Sequence, residues 1–194
     1  MPKARIRNYP IGPFPVVLAG AEVDGKPGFA TAGACGCVCL DPILYLSLKS
    51  THHTNRGIKA NGYFSINIPS SNMVVQTDYC GIVSGVDIDK SSVFTSFYDD
   101  IEKAPLITEC PLNFLCKVIQ SLPIHGFDVF FGEIVAAYAD ESCSMDGRPD
   151  PMKLHPLMIM GSNYWDLGKP VGDLYREGKA FPDSITLKPG QSTN

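Results

Sequence analysis

Hydroxyl and basic side chains are concentrated in one short stretch, "SLKSTHHTNRG", from Ser47 to Gly57. The stretch leaves a predicted strand and enters a predicted helix, whose first turn offers unpaired backbone N–H groups and a positive dipole end. Its charges and hydroxyl donors come from Lys49, Ser50, Thr51, Thr54 and Arg56. Such groups have the chemistry that binds a phosphate, although an ordinary Ser/Thr-rich turn before a capped helix explains the same letters. A Walker pattern is absent, so we do not expect a nucleoside triphosphatase.

Three cysteines alternate in "TAGACGCVCL": Cys35, Cys37 and Cys39. On a strand their thiols would share one face, about 6–7 Å apart, which is too far for a common metal ion. We interpret them as small core hydrophobes, with Cys37 and Cys39 inside the fold. The opposite face of this strand carries Ala32, Ala34, Gly36 and Val38, whose small side chains leave space for a flat group or another backbone.

Other catalytic and metal-binding patterns are missing from the sequence. The neighbouring His52 and His53 would point to opposite sides of a strand, and no carboxylate stands at helical spacing from them, so we expect no metal site. G-x-S-x-G, H-E-x-x-H and G-x-G-x-x-G are all absent. Nothing specific therefore supports a hydrolase or a Rossmann-type dinucleotide site.

Short apolar runs punctuated by Gly and Pro predict the elements that would position these groups. One strand is expected over 14–23, a turn at Asp24-Gly25, and a second strand over 29–40. A helix capped by Thr54 should end at Asn61-Gly62, and a second should run from Ser70 or Ser71 through Tyr79 and stop at Gly81. Long strand patterns follow, with a bulge or close approach at Gly132. Six or seven strands with inserted helices predict an all-β antiparallel barrel.

Composition limits the possible partners and compartments. The 194 residues carry a net charge of −4 without a basic stripe, so nucleic acid is not an expected partner. The basic N-terminus has only a short apolar part broken by prolines, which argues against a signal peptide or a membrane span. Cytoplasmic location is the default, and the seven cysteines suit a reducing compartment. We expect one domain over 1–172 and an extended or partly disordered tail over 173–194.

Several stretches together resemble one family, the flavin reductase-like FMN-binding split-barrel proteins, and within it the flavoredoxin branch. The matching stretches are "PVVLAGAEVDGKPGFATAGACGCV", "LSLKSTHHTNRGIKANGYFSINIPS", "DYCGIVSGVDIDK", "FFGEIVAAYAD" and "YWDLGKPVG". The resemblance implies a six-stranded antiparallel Greek-key split β-barrel. It also implies a homodimer that binds FMN non-covalently near the dimer interface.

The resemblance also implies which residues contact FMN. The strand 32–37 would follow the isoalloxazine ring, the stretch 47–54 would bind the ribityl phosphate, Lys90 would reach FMN from a loop, and an aromatic residue would lie near the flavin. The implied cofactor-binding residues are Gly33, Ala34, Cys35, Ser47, Lys49, Ser50, Thr51, Thr54, Lys90, Tyr164 and Trp165. Two positions depart from the family: Ala34 replaces a tryptophan, and Phe127 replaces a histidine, with His125 two residues earlier.

The predicted function is an FMN-dependent oxidoreductase of the flavin reductase or flavoredoxin type. NAD(P)H or a redox protein would donate the electrons, and no catalytic side chain is assigned because hydride transfer requires no acid or base. The alternatives are a non-catalytic FMN-binding electron carrier and a structural barrel without a cofactor.

Overall fold

The computed structural model describes residues 1–8, 10–39 and 41–180. Strands dominate this part of the chain. They are β1 (Phe14–Pro15), β2 (Val17–Val23), β3 (Lys26–Ala32), β4 (Cys35–Cys39), β5 (Ile43–Lys49), β6 (Tyr63–Ile68), β7 (Ser96–Phe97), β8 (Leu106–Ile107), β9 (Leu112–Ile124), β10 (Phe127–Ala139), β11 (Ser144–Met145), β12 (Arg148–Pro149), β13 (Leu157–Met160) and β14 (Asn163–Asp166). The helices are α1 (His53–Asn61), α2 (Val74–Ile82) and α3 (Pro151–Leu154).

Seven strands form the main sheet in the order β3-β2-β6-β9-β10-β5-β4, and every neighbouring pair is antiparallel. Its two edge strands, β3 and β4, are consecutive in the chain and are joined only by Gly33 and Ala34. So short a link between opposite edges requires the sheet to curl into a barrel with a split between β3 and β4. The predicted antiparallel split barrel is confirmed. The seventh strand arises because the expected strand over 29–40 is divided at this corner.

The barrel core fills the inside of the curled sheet. Alanines of β2 and β3 face Phe64 and Phe130, whose ring centroids are 6.4 Å apart. A Cβ at Gly132 would lie 2.5 Å from the Phe64 ring. The pairing of β10 with β9 shifts register between Phe131 and Gly132, which confirms the predicted irregularity there.

The cysteines of β4 do not share one environment. Cys35 is buried in the core cluster, whereas Cys37 and Cys39 are exposed. The prediction that Cys37 and Cys39 pack in the core is therefore wrong. Two features explain the difference: β4 is an edge strand, and its pairing with β5 shifts register between Cys37 and Cys39. The bulge turns Cys39, which follows it, away from the face that the simple alternation predicts, whereas Cys37 precedes the bulge and is exposed on the edge strand.

Helix α1 lies over β2 and β3 and ends at Gly62, whose φ of 72° is the left-handed stop that the sequence predicts. It begins at His53, so Thr54 lies buried in the first turn and does not cap the helix. Asp128 of β10 accepts hydrogen bonds from Asn55 Nδ2 at 3.0 Å and Lys59 Nζ at 2.6 Å. These contacts fix the helix against the barrel.

Helix α2 follows a 3₁₀ turn at Ser71–Met73 and packs on β3, where Thr31 Oγ1 donates to the Thr77 carbonyl. It continues to Ile82, so Gly81 lies inside the helix and does not end it.

The last described residues include a 3₁₀ turn at Glu177–Ala180. The rest of the predicted tail, 181–194, lies outside the described residues. No helix within the described ranges is both long and apolar enough to cross a membrane.

Candidate functional site

A polar cavity of about 260 Å³ lies where four segments meet: the end of β5, the start of α1, the end of α2 and the loop that leads to Lys90. We call it the α1 cavity. Four of the sequence-predicted cofactor residues line it, namely Lys49, Thr51, Thr54 and Lys90. Tertiary structure therefore brings Lys90 to the stretch 49–54, as the resemblance implied.

The first turn of α1 opens onto this cavity without a side-chain cap. His52 occupies the N-cap position, its backbone is extended, and no side chain among the described residues hydrogen-bonds to the first backbone N–H groups. The helix has nine residues and no acidic residue in its first turn. Its N-terminal N–H groups and positive dipole end therefore face the cavity free for an anion.

Lys90 brings a buried positive charge to the cavity. The residue is only 6% exposed, and its Nζ donates to the carbonyls of Cys80 at 3.1 Å and Val83 at 3.0 Å. Burial lowers the pKa of Lys90. No carboxylate lies within 4 Å of its ammonium in the described part of the chain. An ammonium carries three donors, so two carbonyls leave one donor and the whole charge uncompensated.

His52 lines the α1 cavity together with Lys49 and Lys90. Its pKa is lowered by burial first and then by the positive charges of Lys49 and Lys90. Its Nδ1 is buried and has no hydrogen-bond partner among the described residues. Sequence reasoning considered His52 only as a metal ligand and missed its place in this cavity. Its position immediately before α1 is the signal that could have indicated it.

The other basic side chains near α1 are neutralised by carboxylates. Lys26 Nζ lies 2.8 Å from Asp89 Oδ2, and Arg56 pairs with Asp24. Hydrogen bonding to Asp89 raises the pKa of Lys26. Arg56, which the sequence offered as a phosphate contact, does not line the α1 cavity. Lys49 and Lys90 form no ion pair within the described residues, so both stay available to an anion in the α1 cavity.

A second cavity, of about 390 Å³, lies at the Gly33–Ala34 corner between β3 and β4. We call it the corner cavity. Its walls are largely apolar and include Phe14, Tyr45 and Ile159. A Cβ added to Gly33 would meet no atom within 4 Å, so the backbone at this corner is open to a ligand. Tyr45 was missed by sequence reasoning because strand alternation alone does not show which face meets a cavity.

Strand β5 connects the two cavities. Leu46 and Leu48 are buried in the core, so Tyr45, Ser47 and Lys49 share the opposite face of the strand. Tyr45 lines the corner cavity and Lys49 lines the α1 cavity, about 13 Å apart along an extended strand. The Ser47 N–H donates to the Ala34 carbonyl at 2.8 Å, which holds the corner against β5 between them.

Five predicted residues lie outside the lining of both cavities, and Ser47, which lies between the cavities on β5, is one of them. Ser50 is exposed and its N–H donates to the Gly126 carbonyl at 2.9 Å. Cys35 is buried in the barrel core, which raises its pKa to about 12. Tyr164 donates to Asp78 at 2.8 Å, and Trp165 is 54% exposed. Their assignment to the cofactor stays a prediction.

His125 is placed in the tight turn that joins β9 and β10. Its φ is 45°, and the following Gly126 has a φ of 81°. The turn holds the residue at the surface, outside both cavities.

Comparison with known proteins agrees with the fold. The family model of the flavin reductase like domain matches residues 12–167. The crystal structure of flavoredoxin from Methanosarcina acetivorans is 40% identical, with a TM-score of 0.88 over 92% of this chain and 98% of that chain. Flavoredoxin of Desulfovibrio vulgaris (Miyazaki F) is 31% identical, with a TM-score of 0.84 over 91% and 99%. The FMN reductase (NADH) RutF of Acinetobacter baylyi is 25% identical over 121 residues, 62% of this chain and 63% of that protein.

Proposed function

Because the chain belongs to the family of flavin reductase-like domains, we propose that it is an oxidoreductase that works through bound FMN. The observation that carries the proposal is the α1 cavity, where the buried Lys90 has no carboxylate partner in the described part of the chain. A buried, uncompensated cation is costly, and a bound phosphate would offset that cost. The relatives named as flavoredoxins and as an FMN reductase support FMN as the group that carries this phosphate.

The residues of the two cavities suit the two ends of FMN. Lys49, Thr51, Thr54 and Lys90, with the first N–H groups of α1, would bind the phosphate. The outward face of β5 at Ser47 leads from there to the corner cavity. Its apolar walls and open backbone at 33–34 would accept the flat ring system.

The protein contributes binding, orientation and electrostatics. Bound FMN would supply the electron chemistry, because it accepts a hydride or single electrons and passes them on. Lys49 and Lys90 would offset the charge of the phosphate. They would also fix the position of the cofactor along β5. The corner at 33–34 would hold backbone groups beside the ring. Since hydride transfer needs no side-chain acid or base, the proposal requires no catalytic residue.

We further propose that the electron donor is NADH or NADPH. The support is the name of the relative from Acinetobacter baylyi, an FMN reductase that uses NADH. The two flavoredoxin relatives support a second candidate function. In it, a redox protein donates the electrons and this chain acts as an electron carrier.

A donor screen separates these roles. The protein is reconstituted with FMN, made anaerobic and mixed in separate experiments with NADH and NADPH, and the visible flavin absorbance is followed. Rapid bleaching by one donor supports the reductase. A flavin that dithionite bleaches but neither nucleotide does would indicate a carrier, and a protein that takes up no FMN would contradict the whole proposal.

A homodimer is part of the same proposal. Its support is an apolar patch on the β9–β10 hairpin, where four side chains are 39% to 51% exposed. They are Ile119, Leu122, Ile124 and Phe127. Exposed apolar groups concentrated on one surface are typical of an interface. Light scattering should give the mass of two chains, and the mass of one chain would contradict this assembly.

A further inference from the structure

Tyr45 is the aromatic side chain that β5 presents to the corner cavity. Its direct cross-strand neighbours are Gly36 on β4 and Phe131 on β10. Directly paired residues share one face of a sheet, and the core residues Leu46 and Leu48 occupy the other face of β5. Tyr45 therefore lies on the outer face of the barrel. It is half-buried there, so part of its ring is left for contact with a ligand.

Gly36 determines the direction in which the Tyr45 side chain points. A Cβ built on Gly36 would lie 2.9 Å from Tyr45 Cε1 and 3.3 Å from both Cζ and Oη. These atoms form the outer end of the side chain, so the tyrosine ring lies across Gly36 and does not stand away from the sheet. A larger residue at position 36 would occupy this space. The ring is thus held against the backbone of β4, close to the corner at 33–34.

The small sheet supplies the other wall of the corner cavity. Phe14 of β1 pairs with Ile159 of β13, and both residues line the cavity. The cavity therefore lies between Tyr45 on the main sheet and an apolar pair on the small sheet. A flat aromatic group fits between such walls, because it gains contact area on both of its faces.

Tyr45 and Phe14 are the aromatic residues among those that line this cavity. They differ in two ways that favour Tyr45 as the partner of a flavin ring. Its phenol is rich in electrons, which suits the electron-poor isoalloxazine ring. It also lies within a seven-residue strand of the main sheet, whereas Phe14 belongs to a two-residue strand and is 39% exposed.

We propose that Tyr45 is the aromatic side chain that stacks on the isoalloxazine ring of the bound flavin. This inference rests on the proposed FMN function and identifies a binding residue within it. Stacking would stabilise the ring in the corner cavity and fix its orientation relative to the backbone at 33–34. Tyr45 would take no part in the transfer of electrons between donor and acceptor.

Flavin fluorescence reports such a contact directly. An excited isoalloxazine ring takes an electron from a phenol that touches it, and the electron returns without net reaction, so the emission is quenched. A phenylalanine ring stacks equally well but does not donate this electron. Replacing Tyr45 by phenylalanine therefore separates stacking from quenching.

The test compares Tyr45→Phe and Tyr45→Leu with the wild type, each loaded with FMN and, separately, with riboflavin. Fluorescence lifetimes measure quenching, and ultrafiltration measures affinity independently of emission. Tyr45→Phe should lengthen the lifetime and keep the affinity. Tyr45→Leu should lengthen the lifetime and weaken both flavins about two- to tenfold. Tyr63→Phe is the matched control, because Tyr63 is another half-buried strand tyrosine but lies outside both cavities.

Gly36→Ala tests the same contact from the other side. The added Cβ should displace the Tyr45 ring into the corner cavity and weaken FMN and riboflavin together. Unchanged affinity for both flavins in Gly36→Ala would contradict the position assigned to the ring.

The outcomes separate this inference from the function on which it rests. Bound FMN with an unchanged lifetime in Tyr45→Phe would overturn the inference and leave the proposed function standing. An equal lengthening in Tyr63→Phe would also overturn it. A protein that takes up neither flavin would contradict the proposed function and the inference with it. Circular dichroism checks the fold of each variant, and Tyr45→Phe, which removes only a hydroxyl, is the variant least able to disturb it.

Discussion

The α1 cavity and the corner cavity lie along the same strand but differ in the way they can hold a ligand. The α1 cavity has the uncapped start of a helix and two lysines, Lys49 and Lys90, that form no ion pair within the described ranges. The corner cavity has mainly apolar walls around an open stretch of backbone. In the first cavity, charge and directed N–H groups would supply the binding free energy. In the second, contact area would supply it.

This difference makes FMN and riboflavin a matched pair of probes. Riboflavin has the ring and the ribityl chain but lacks the phosphate. A change in the α1 cavity should therefore alter the affinity for FMN alone. A change in the corner cavity should alter the affinity for both flavins.

The largest effect is expected for Lys90→Met. This variant removes the buried ammonium, and a hydrogen bond to a charged group contributes about 1.5–3 kcal/mol, so FMN affinity should fall about ten- to a hundredfold. Fluorescence titration of the flavin-free protein with FMN and with riboflavin measures the effect. Lys26→Met is the control, because Lys26 is exposed and paired with Asp89. Equal losses for FMN and riboflavin would show that Lys90 does not contact the phosphate.

A smaller effect with the opposite ligand pattern is expected for Gly33→Val. A Cβ at this position would enter the corner cavity with no protein atom within 4 Å, so we expect the fold to keep its stability. Affinity for FMN and riboflavin should fall together, by about tenfold, which is roughly 1.4 kcal/mol. Gly168→Val is the control, since a Cβ there also meets open space but lies away from both cavities. A loss confined to FMN would contradict the placement of the ring.

Raising the pH should weaken FMN binding relative to riboflavin. A phosphate favours the protonated form of Lys90, and burial lowers the pKa of Lys90 below that of an ordinary lysine. The ratio of the two affinities should therefore fall as the pH rises through that lowered pKa. The change should be smaller than in Lys90→Met, because a neutral amine still donates hydrogen bonds. In Lys90→Met this fall should be absent, and its persistence would assign the titration to another group.

The smallest effect on flavin affinity is expected for Asp128→Asn, which loosens α1 without touching either cavity. Losing the charged acceptor for Asn55 and Lys59 should lower the free energy of unfolding by about 1–3 kcal/mol. FMN affinity should change only a few-fold. Asp24→Asn is the control, because its exposed pair with Arg56 on the same helix should contribute about 0–1 kcal/mol.

The pH dependence of stability provides a check on Asp128. Its hydrogen bond with Lys59 lowers the pKa of this carboxyl below its ordinary value of 3.8. Its stabilisation is therefore present above about pH 4 and is lost as the pH falls through the lowered pKa. Chemical unfolding at several acidic pH values should show a steeper loss in the wild type than in Asp128→Asn. Equal slopes would contradict the role assigned to this carboxylate.

The sequence was most informative where a local backbone rule applies. Asp24 and Gly25 both have positive φ in the β2–β3 turn, and Gly62 ends α1 in the left-handed conformation. Gly132 marks a register shift because Phe64 occupies the space of a side chain. The polar stretch before α1 was likewise identifiable as a candidate anion site. It joins the end of a strand to the start of a helix and carries hydroxyl and basic side chains.

Prediction from sequence failed where the environment depends on distant residues. Strict alternation put Cys37 and Cys39 in the core, but both are exposed on the edge strand β4, where a bulge redirects Cys39. Thr54 was expected to cap α1 and instead lies buried in its first turn, one residue past the start. Tyr45 went unrecognised because nothing local shows that it faces a cavity.

The sequence by itself determined the turns, the helix stop, the stretch that offers hydroxyls and amides to an anion, and, through its resemblance, the family. Tertiary structure alone decided that Lys90 is buried without a carboxylate in the described part of the chain, whereas Arg56 is neutralised by Asp24. It also decided that one face of β5 joins a charged cavity to an apolar one. The physical reason is range: backbone preferences act over a few residues, whereas burial and charge compensation depend on groups that only folding brings together.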